Sequence, residues 1–160
     1  MKILVVEDNA FNQKVATGML QNMGHRSVVA ANGREGVDAY KNDAYDIILM
    51  DVQMPELDGL EATVAIRKRE EITKAHIPIV AMTAHAMKGD REKCLEAGCD
   101  DYVSKPIDRN ELIKVLRLHL SPGQRNVAKQ VENVNTQVEE LTDMCTTADE
   151  QVEETMSDLS

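Results

Sequence analysis

Short apolar runs alternate with longer amphipathic stretches along the first three-quarters of the chain. Four of the runs are nearly unbroken and rich in Val, Ile, Leu and Met, which is typical of strands covered on both faces. The fifth run is weaker, and its flanking residues place it. We expect five strands, at 2–6, 26–31, 46–50, 77–82 and 101–104. We expect five helices, near 10–23, 34–42, 58–69, 87–97 and 108–119.

Capping residues support these helix boundaries. Asn9 is a suitable N-cap for the first helix, and Gly24 follows its end. Asp108 with Glu111 three residues later forms the capping-box pattern for the last helix. Strand–helix alternation of this length predicts parallel strands joined by right-handed crossovers. The predicted fold class is therefore α/β, with a five-stranded parallel, doubly wound sheet.

The pattern breaks at 121–123, Ser-Pro-Gly, which predicts a helix stop and a boundary between a domain at 1–120 and a tail at 121–160. Apolar residues in the tail are spaced alternately four and three apart, as in a heptad repeat. They are Val127, Val131, Val134, Val138, Leu141, Cys145, Ala148, Val152 and Leu159, with Thr155 interrupting. Two interpretations stay open: a coiled coil that dimerises the protein or docks on a partner, or a solvated acidic tail that is disordered or loosely helical.

The distribution of charge and apolar residues limits the kinds of molecule that the protein is expected to bind. The formal net charge is −10, and residues 121–160 hold nine acidic against two basic side chains. Without a basic patch, direct nucleic-acid binding is not expected. Apolar runs stay far below the roughly 18–20 residues of a membrane span, and the start does not resemble a signal peptide. Cys94, Cys99 and Cys145 lack metal-ligand spacing. We expect reduced thiols, a cytoplasmic protein and no membrane contact.

Charged side chains stand at the ends of three predicted strands. Glu7 and Asp8 follow the first, Asp51 ends the third, and Lys105 follows the fifth. Open α/β sheets bind ligands at the carboxyl ends of their strands. Three carboxylates suit a hard cation and one ammonium suits an anion. Together they predict a site that accepts a phosphoryl group.

Attack by a carboxylate on a phosphoryl group brings two anions together, so a divalent cation must bridge them. Mg²⁺ prefers oxygen ligands and keeps several waters. We expect Asp8 and Asp51 to bind it through side-chain oxygens and Gln53 through its backbone carbonyl. Glu7 is expected to hold a metal-bound water.

Two further residues suit the phosphoryl oxygens. Lys105 offers a point charge, and Thr83, at the end of the fourth strand, offers a hydroxyl. Ala84 beside it leaves room for the group, and His85 is a candidate neighbour of the site. Because the ammonium must reach back over the strand ends, we predict a cis bond between Lys105 and Pro106.

The chain resembles the receiver domain of two-component response regulators over residues 1–120. Its sequence motifs are most similar to those of receivers attached to hybrid sensor histidine kinases. The matching motifs are Val5-Val6-Glu7-Asp8-Asn9, 51–59 (DVQMPELDG), Ala81-Met82-Thr83-Ala84 and Tyr102-Val103-Ser104-Lys105-Pro106. The resemblance implies the flavodoxin-like receiver fold. It also implies that Asp51 is the phosphoacceptor, Glu7 and Asp8 the acidic pair, Thr83 the switch hydroxyl, Tyr102 the switch aromatic and Lys105 the phosphate lysine.

The function implied is a signalling switch. A histidine kinase or a histidine-phosphotransfer protein would donate the phosphoryl group from a phosphohistidine to Asp51, with Mg²⁺ as cofactor. Thr83 would then move toward the phosphoryl group on Asp51, and the side chain of Tyr102 would turn into the space that Thr83 leaves. That movement would change the surface formed by the fourth helix, fifth strand and fifth helix. As an enzyme, the domain would show at most slow intrinsic autophosphorylation and autodephosphorylation.

Two other classes fit less well. A haloacid dehalogenase-like hydrolase also forms an aspartyl phosphate, but it needs a second acid two residues after the nucleophile. Gln53 occupies that position and cannot protonate a leaving group. A nucleotide-binding flavodoxin-like domain needs a glycine-rich turn after the first strand. The acidic pair Glu7 and Asp8 stands there instead.

Overall fold

The computed structural model describes residues 1–84 and 87–119, together with Gln137, Val138 and Leu141. The three isolated residues are helical and exposed. Within this described part of the chain, no helix is both long enough and apolar enough to cross a membrane.

Residues Met1–His119 form the first of two units of the chain, and Leu120–Ser160 belong to the second. The predicted break at 121–123 and almost all of the heptad-patterned tail lie outside the described residues. The candidate neighbour of the site, His85, also lies outside them. The predicted state of the tail therefore stays a prediction.

Strands and helices alternate along the first unit, as the sequence pattern predicts. The strands are β1 (Lys2–Val6), β2 (Arg26–Ala30), β3 (Ile47–Asp51), β4 (Ile79–Thr83) and β5 (Asp101–Ser104). The helices are α1 (Ala10–Asn22), α2 (Gly33–Asn42), α3 (Gly59–Thr73), α4 (Lys88–Ala97) and α5 (Arg109–Leu118).

All five strands are parallel and form one sheet in the order β2-β1-β3-β4-β5. The predicted α/β class and parallel doubly wound sheet are confirmed. The strand order reverses at β1, between β2 and β3, and a crevice opens at the carboxyl ends of the strands at such a point. Glu7 and Asp8 directly follow β1, and Asp51 is the last residue of β3. The fold therefore places the predicted acidic residues at this crevice.

Each face of the sheet carries its own apolar core. Side chains alternate along a strand, so Leu4 and Val6 face one core while Ile3 and Val5 face the other. Helices α2, α3 and α4 cover the first core, and α1 and α5 cover the second. In β1, β3 and β4 almost every residue is buried, which fits the unbroken apolar runs of the sequence.

Strand β2 corrects one expectation. Its sequence predicts a strand covered on both faces, but Val28 and Val29 are 37% and 41% exposed. The prediction was wrong because β2 is an edge strand of the sheet. Its apolar run therefore indicates β-propensity and not burial.

Two element boundaries also differ from the sequence pattern. Strand β4 begins at Ile79 and not at residue 77, since Pro78 has no N–H to donate to a ladder. Helix α3 continues to Thr73, where Lys74 ends it in the left-handed conformation. Its last turn lacks an apolar stripe, but Glu70 there is buried. A buried polar residue is invisible to a hydrophobic pattern.

The helix starts follow the predicted capping chemistry. Asn9 accepts hydrogen bonds from the backbone N–H groups of Phe11 and Asn12. Asp108 accepts one from the N–H of Glu111. These side chains accept hydrogen bonds from backbone N–H groups that have no partner within the helix. They fix the points at which the chain leaves the carboxyl edge of the sheet.

A polar cluster lies at the opposite, amino-terminal edge of β4 and β5. We call it the Arg67 cluster; it comprises Arg67, Glu70 and Asp100 with the backbone of Ile77 and Gly98. The guanidinium of Arg67 contacts carboxylate oxygens of Glu70 and Asp100, each at 2.7 Å. It also donates to the carbonyls of Ile77, at 2.8 Å, and Gly98, at 2.9 Å. The cluster ties α3 to the segments that precede β4 and β5.

Candidate functional site

Three carboxylates converge at the carboxyl edge of the sheet. Glu7 and Asp51 are almost fully buried, at 1% and 2% exposure, and Asp8 is exposed. One oxygen from each of these residues lies within 4.8 Å of the others. Glu7 and Asp8 are positioned by the end of β1 and Asp51 by the end of the adjacent β3. The parallel sheet thus brings together carboxylates that are 43 or more residues apart in sequence.

Lys105 reaches into this cluster from the end of β5. Its Nζ lies 2.8 Å from Oδ1 of Asp51 and 2.9 Å from Oε2 of Glu7. Its backbone N–H donates to the carbonyl of Thr83 at 2.8 Å. The bond between Lys105 and Pro106 is cis, as predicted. One ammonium thus contacts two of the three carboxylates, and the excess of negative charge in the group suits a divalent cation.

Backbone donors hold the two buried carboxylates in place. The N–H of Asn9 donates to Oε1 of Glu7, and the N–H of Gln53 donates to Oδ1 of Asp51, each at 3.1 Å. Gln13 donates from its side chain to the carbonyl of Glu7 at 2.7 Å. Gln13 is a contributor that strand-end reasoning missed. Gln13 lies on α1 and not at the end of a strand, so no strand-end pattern selects it.

Burial and neighbouring charge move the pKa values of this group in opposite directions. Burial and the Glu7 carboxylate raise the pKa of Asp51 to about 6, although Lys105 opposes the rise. Burial also disfavours ionised Glu7, but hydrogen bonds from Lys105 and the Asn9 N–H outweigh it and lower the pKa of Glu7. For Lys105 burial disfavours the charge, and the two carboxylates outweigh it and raise the pKa. The site holds Glu7 ionised and Lys105 charged.

The two predicted switch residues lie on adjacent strands. Thr83, the last residue of β4, is buried and pairs in register with Ser104. Tyr102 on β5 pairs with Ala81 and packs, half-buried, against the core covered by α2, α3 and α4. The guanidinium of Arg91, from α4, lies 5.1 Å from the centre of the Tyr102 ring. The sequence did not single out Arg91, because nothing in its spacing pairs it with Tyr102.

Gly59 shows why the loop after β3 ends in glycine. A Cβ at this position would lie 1.9 Å from the carbonyl oxygen of Asp51 and 3.0 Å from Met50. The N–H of Gly59 donates to the carbonyl of Val52 at 3.3 Å. Helix α3 therefore begins in direct contact with the backbone of Asp51, and any side chain would displace one from the other.

The sheet is doubly wound and parallel, and its carboxyl edge carries a group of carboxylates beside a lysine, which is an arrangement that suits a cation next to an anion. The family model of the response regulator receiver domain matches residues 3–117. The chain belongs to this family, so its first unit is a receiver domain of two-component signalling. Receiver domains act in phosphorelays as signalling switches and not as classical enzymes.

A curated relative agrees with this assignment. Hybrid signal transduction histidine kinase I from Dictyostelium discoideum is 50% identical over 124 residues, which is 74% of this chain and 7% of the kinase. The chain thus spans only a small part of the curated kinases it matches.

Two solved structures bear on the site. The receiver domain of a sensor histidine kinase from Pseudomonas aeruginosa is 46% identical with a TM-score of 0.66, covering 72% of this chain and 93% of that one. It was solved with a magnesium ion coordinated in its active-site cleft. The receiver domain of Ssk1 from Saccharomyces cerevisiae is 35% identical with a TM-score of 0.67, covering 71% and 84%. It was co-crystallised with the histidine phosphotransfer signaling protein Ypd1.

Proposed function

We propose that the protein accepts a phosphoryl group on Asp51 from a phosphohistidine donor and uses the resulting change to alter partner binding. One observation carries this proposal: Lys105 Nζ contacts both Asp51 and Glu7 within a cluster of three carboxylates. That arrangement has a nucleophilic oxygen, a cation for the incoming phosphoryl group and oxygen ligands for a metal ion.

The transfer step needs little from the protein beyond position and charge. A carboxylate oxygen of Asp51 attacks phosphorus, an O–P bond forms and the N–P bond to the donor histidine breaks. The departing histidine nitrogen keeps the bonding electron pair and takes a proton. Lys105, fixed 2.8 Å from the acceptor, pairs with a phosphoryl oxygen, and the hydroxyl of Thr83 binds another.

The carboxylates fit a hard cation. Asp8, Asp51 and the carbonyl of Gln53 would hold Mg²⁺, and Glu7 would hold one of its waters. When bound, Mg²⁺ would supply positive charge that offsets the charge of the phosphoryl oxygens beside Asp51. Incubation with acetyl phosphate should therefore add one phosphate per chain with Mg²⁺ present and none with excess EDTA. Equal labelling under both conditions would overturn the metal-dependent proposal.

Asp8 is expected to carry much of the Mg²⁺ affinity, since it is the exposed carboxylate of the three and makes no contact with Lys105 in the described structure. Asp8→Ala should weaken Mg²⁺ binding more than about tenfold, or about 1.4 kcal/mol. Calorimetric titration of the unphosphorylated protein measures this directly. The matched control is Asp38→Ala on α2, an acidic residue outside the carboxylate group. Unchanged affinity in the Asp8 variant would contradict the ligand set.

Phosphoryl transfer is proposed to reach partners through Thr83 and Tyr102. A phosphoryl group on Asp51 offers the Thr83 hydroxyl a new oxygen, and a ligand shifts only what it contacts differently in two states. Movement of Thr83 leaves space for the Tyr102 ring to turn inward. The surface of α4, β5 and α5 would then change its affinity for a partner.

Loss of the phosphoryl group is proposed to be a slow intrinsic hydrolysis. The amide of Gln53 follows Asp51 by two residues and has no acidic proton to give. Rapid hydrolase turnover on small phosphate esters is therefore not expected.

We propose that the donor is a histidine kinase or a histidine-phosphotransfer protein, which docks beside the first turn of α1. Phe11 there is 72% exposed, and it lies three residues after Asp8. Exposed aromatic side chains near the centre of an interface often dominate its affinity. The Ypd1 complex of the related Ssk1 receiver supports this class of donor.

Phe11→Ala should slow transfer from a phosphorylated histidine-phosphotransfer protein at least about fivefold, since a central aromatic contact is worth more than about 1 kcal/mol. Labelling by acetyl phosphate, which needs no docking surface, should stay unchanged. Ile72→Ala, which alters another exposed apolar residue at the end of α3, is the matched control. Equal slowing with both donors would place Phe11 in the site and not in the docking surface.

We propose a cytoplasmic protein that forms homodimers through its tail. Val138 and Leu141, two positions of the heptad pattern, are 55% and 60% exposed. Nine acidic and two basic residues at 121–160 make parallel copies of the tail repel each other.

The Debye length falls to about 3 Å at 1 M salt, so added salt should weaken this repulsion and raise the helicity of the tail and the dimer mass together. Circular dichroism and light scattering over a protein-concentration series test this. Leu141→Asn should reduce both, whereas a helical tail in a dilute, low-salt monomer would contradict it.

A further inference from the structure

The Arg91–Tyr102 contact is a feature that the transfer chemistry does not use. Arg91 is an exposed residue of α4, and its guanidinium lies 5.1 Å from the centre of the Tyr102 ring on β5. A cation within about 6 Å of a ring centre is attracted by the ring's negative face. The same ring packs against the apolar core covered by α2, α3 and α4. The conformation of Tyr102 is therefore held by the core and by a cation.

The register of β4 and β5 relates this contact to the phosphoacceptor site. Tyr102 pairs with Ala81, which lies in the same core. Thr83 is two residues beyond Ala81, so its side chain projects from the same face of the sheet. A ring that turned inward toward Thr83 would have to leave its present position, with its centre 5.1 Å from the Arg91 guanidinium.

We propose that Arg91 is a positioning residue that holds Tyr102 in the conformation of the unphosphorylated protein and so opposes the switch. This inference rests on the proposed function of Asp51 and Thr83. An exposed contact of this kind corresponds to about a two- to fivefold bias in a conformational equilibrium. Because coupling between sites is reciprocal, the residue that opposes the inward ring also weakens binding of a phosphoryl group at Asp51.

The test compares the affinity of Arg91 variants for beryllofluoride, a phosphoryl mimic, in the presence of Mg²⁺. Arg91→Gln should bind it about two- to fivefold more tightly than the unaltered protein. Lys93→Gln removes another exposed cation of α4 and should leave the affinity unchanged. In a Tyr102→Leu background, Arg91→Gln should have no effect, since the cation then has no ring to hold.

The sign of the change separates this role from simple electrostatics. Removing a positive charge should weaken the binding of an anion, whereas loss of the contact should strengthen it. An Arg91→Gln variant that binds beryllofluoride equally or more weakly would overturn the inference. Failure of the unaltered protein to bind beryllofluoride would instead overturn the proposed function, and the inference with it.

A second measurement reports on the ring without any ligand. In the Arg91→Gln variant, the ring resonances of Tyr102 should move toward the positions they take in the beryllofluoride complex of the unaltered protein. Resonances of Tyr40 and Tyr45, the other two tyrosines of the chain, provide the internal reference. Tyr102 resonances that stay in place would also overturn the inference.

Discussion

Asp51→Asn should abolish phosphorylation by acetyl phosphate and by a phosphohistidine donor. The amide has nearly the same shape as the carboxylate but lacks a nucleophilic oxygen. The product of the unaltered protein should be a base-labile acyl phosphate, detected as one added phosphate by intact mass before and after alkaline or hydroxylamine treatment. The Asn variant should show no added phosphate.

Loss of labelling in this variant should not come from unfolding. Burial and Glu7 raise the pKa of Asp51 to about 6, so the native fold disfavours its ionised form relative to the unfolded chain. A neutral amide relieves that penalty above pH 6, and thermal unfolding at neutral pH in metal-free buffer should show no large destabilisation. Asp58→Asn, on the same loop, is the control, because Asn also caps a helix well. Labelling of the Asp51 variant equal to that of the control would rule out this phosphoacceptor.

Arg67→Ala should lower the free energy of unfolding by roughly 3–5 kcal/mol. The Arg67 side chain is 17% exposed and that of its partner Glu70 only 6% exposed, so little solvent would replace the guanidinium. Glu70 would keep its bond from the N–H of Ile77, at 2.6 Å, and its contact with the His76 ring, at 3.5 Å, but it would lose the guanidinium. The loss is a large fraction of the 5–15 kcal/mol that typically stabilises a domain. Urea denaturation followed by circular dichroism measures it.

Three further variants show whether the cost comes from the buried charge. Arg69→Ala removes an exposed arginine of the same helix and should cost less than about 1 kcal/mol. Arg67→Lys keeps the charge but not the forked geometry, and its cost should be intermediate. Adding Glu70→Gln to Arg67→Ala should recover part of the loss. If Arg67→Ala cost no more than Arg69→Ala, the Arg67 cluster would not be a stabilising element.

Local sequence determined most of the architecture. Unbroken runs such as Ile47–Asp51 predict buried strands, and Asn9 and Asp108 predict helix starts, because periodicity and capping depend on residues close together in the chain. The acidic pair, Asp51 and Lys105 could be selected from sequence for a related reason. Parallel strands that share a sheet have their carboxyl ends at one edge, so residues that end different strands lie on the same side of the domain.

Only the tertiary structure decided which strand lies at the edge and which polar groups are paired. Val28 and Val29 have the composition of a central strand, but the sheet order leaves β2 at the edge. The ion pair of Arg67 with Asp100 joins residues 33 apart in sequence, so no local pattern marks it. The contact between Arg91 and Tyr102 likewise depends on how α4 packs against β5. A local sequence pattern reports the backbone preference of a segment and the side on which its apolar residues lie. Whether a strand is buried and which charged groups are paired depend on residues that are distant in sequence.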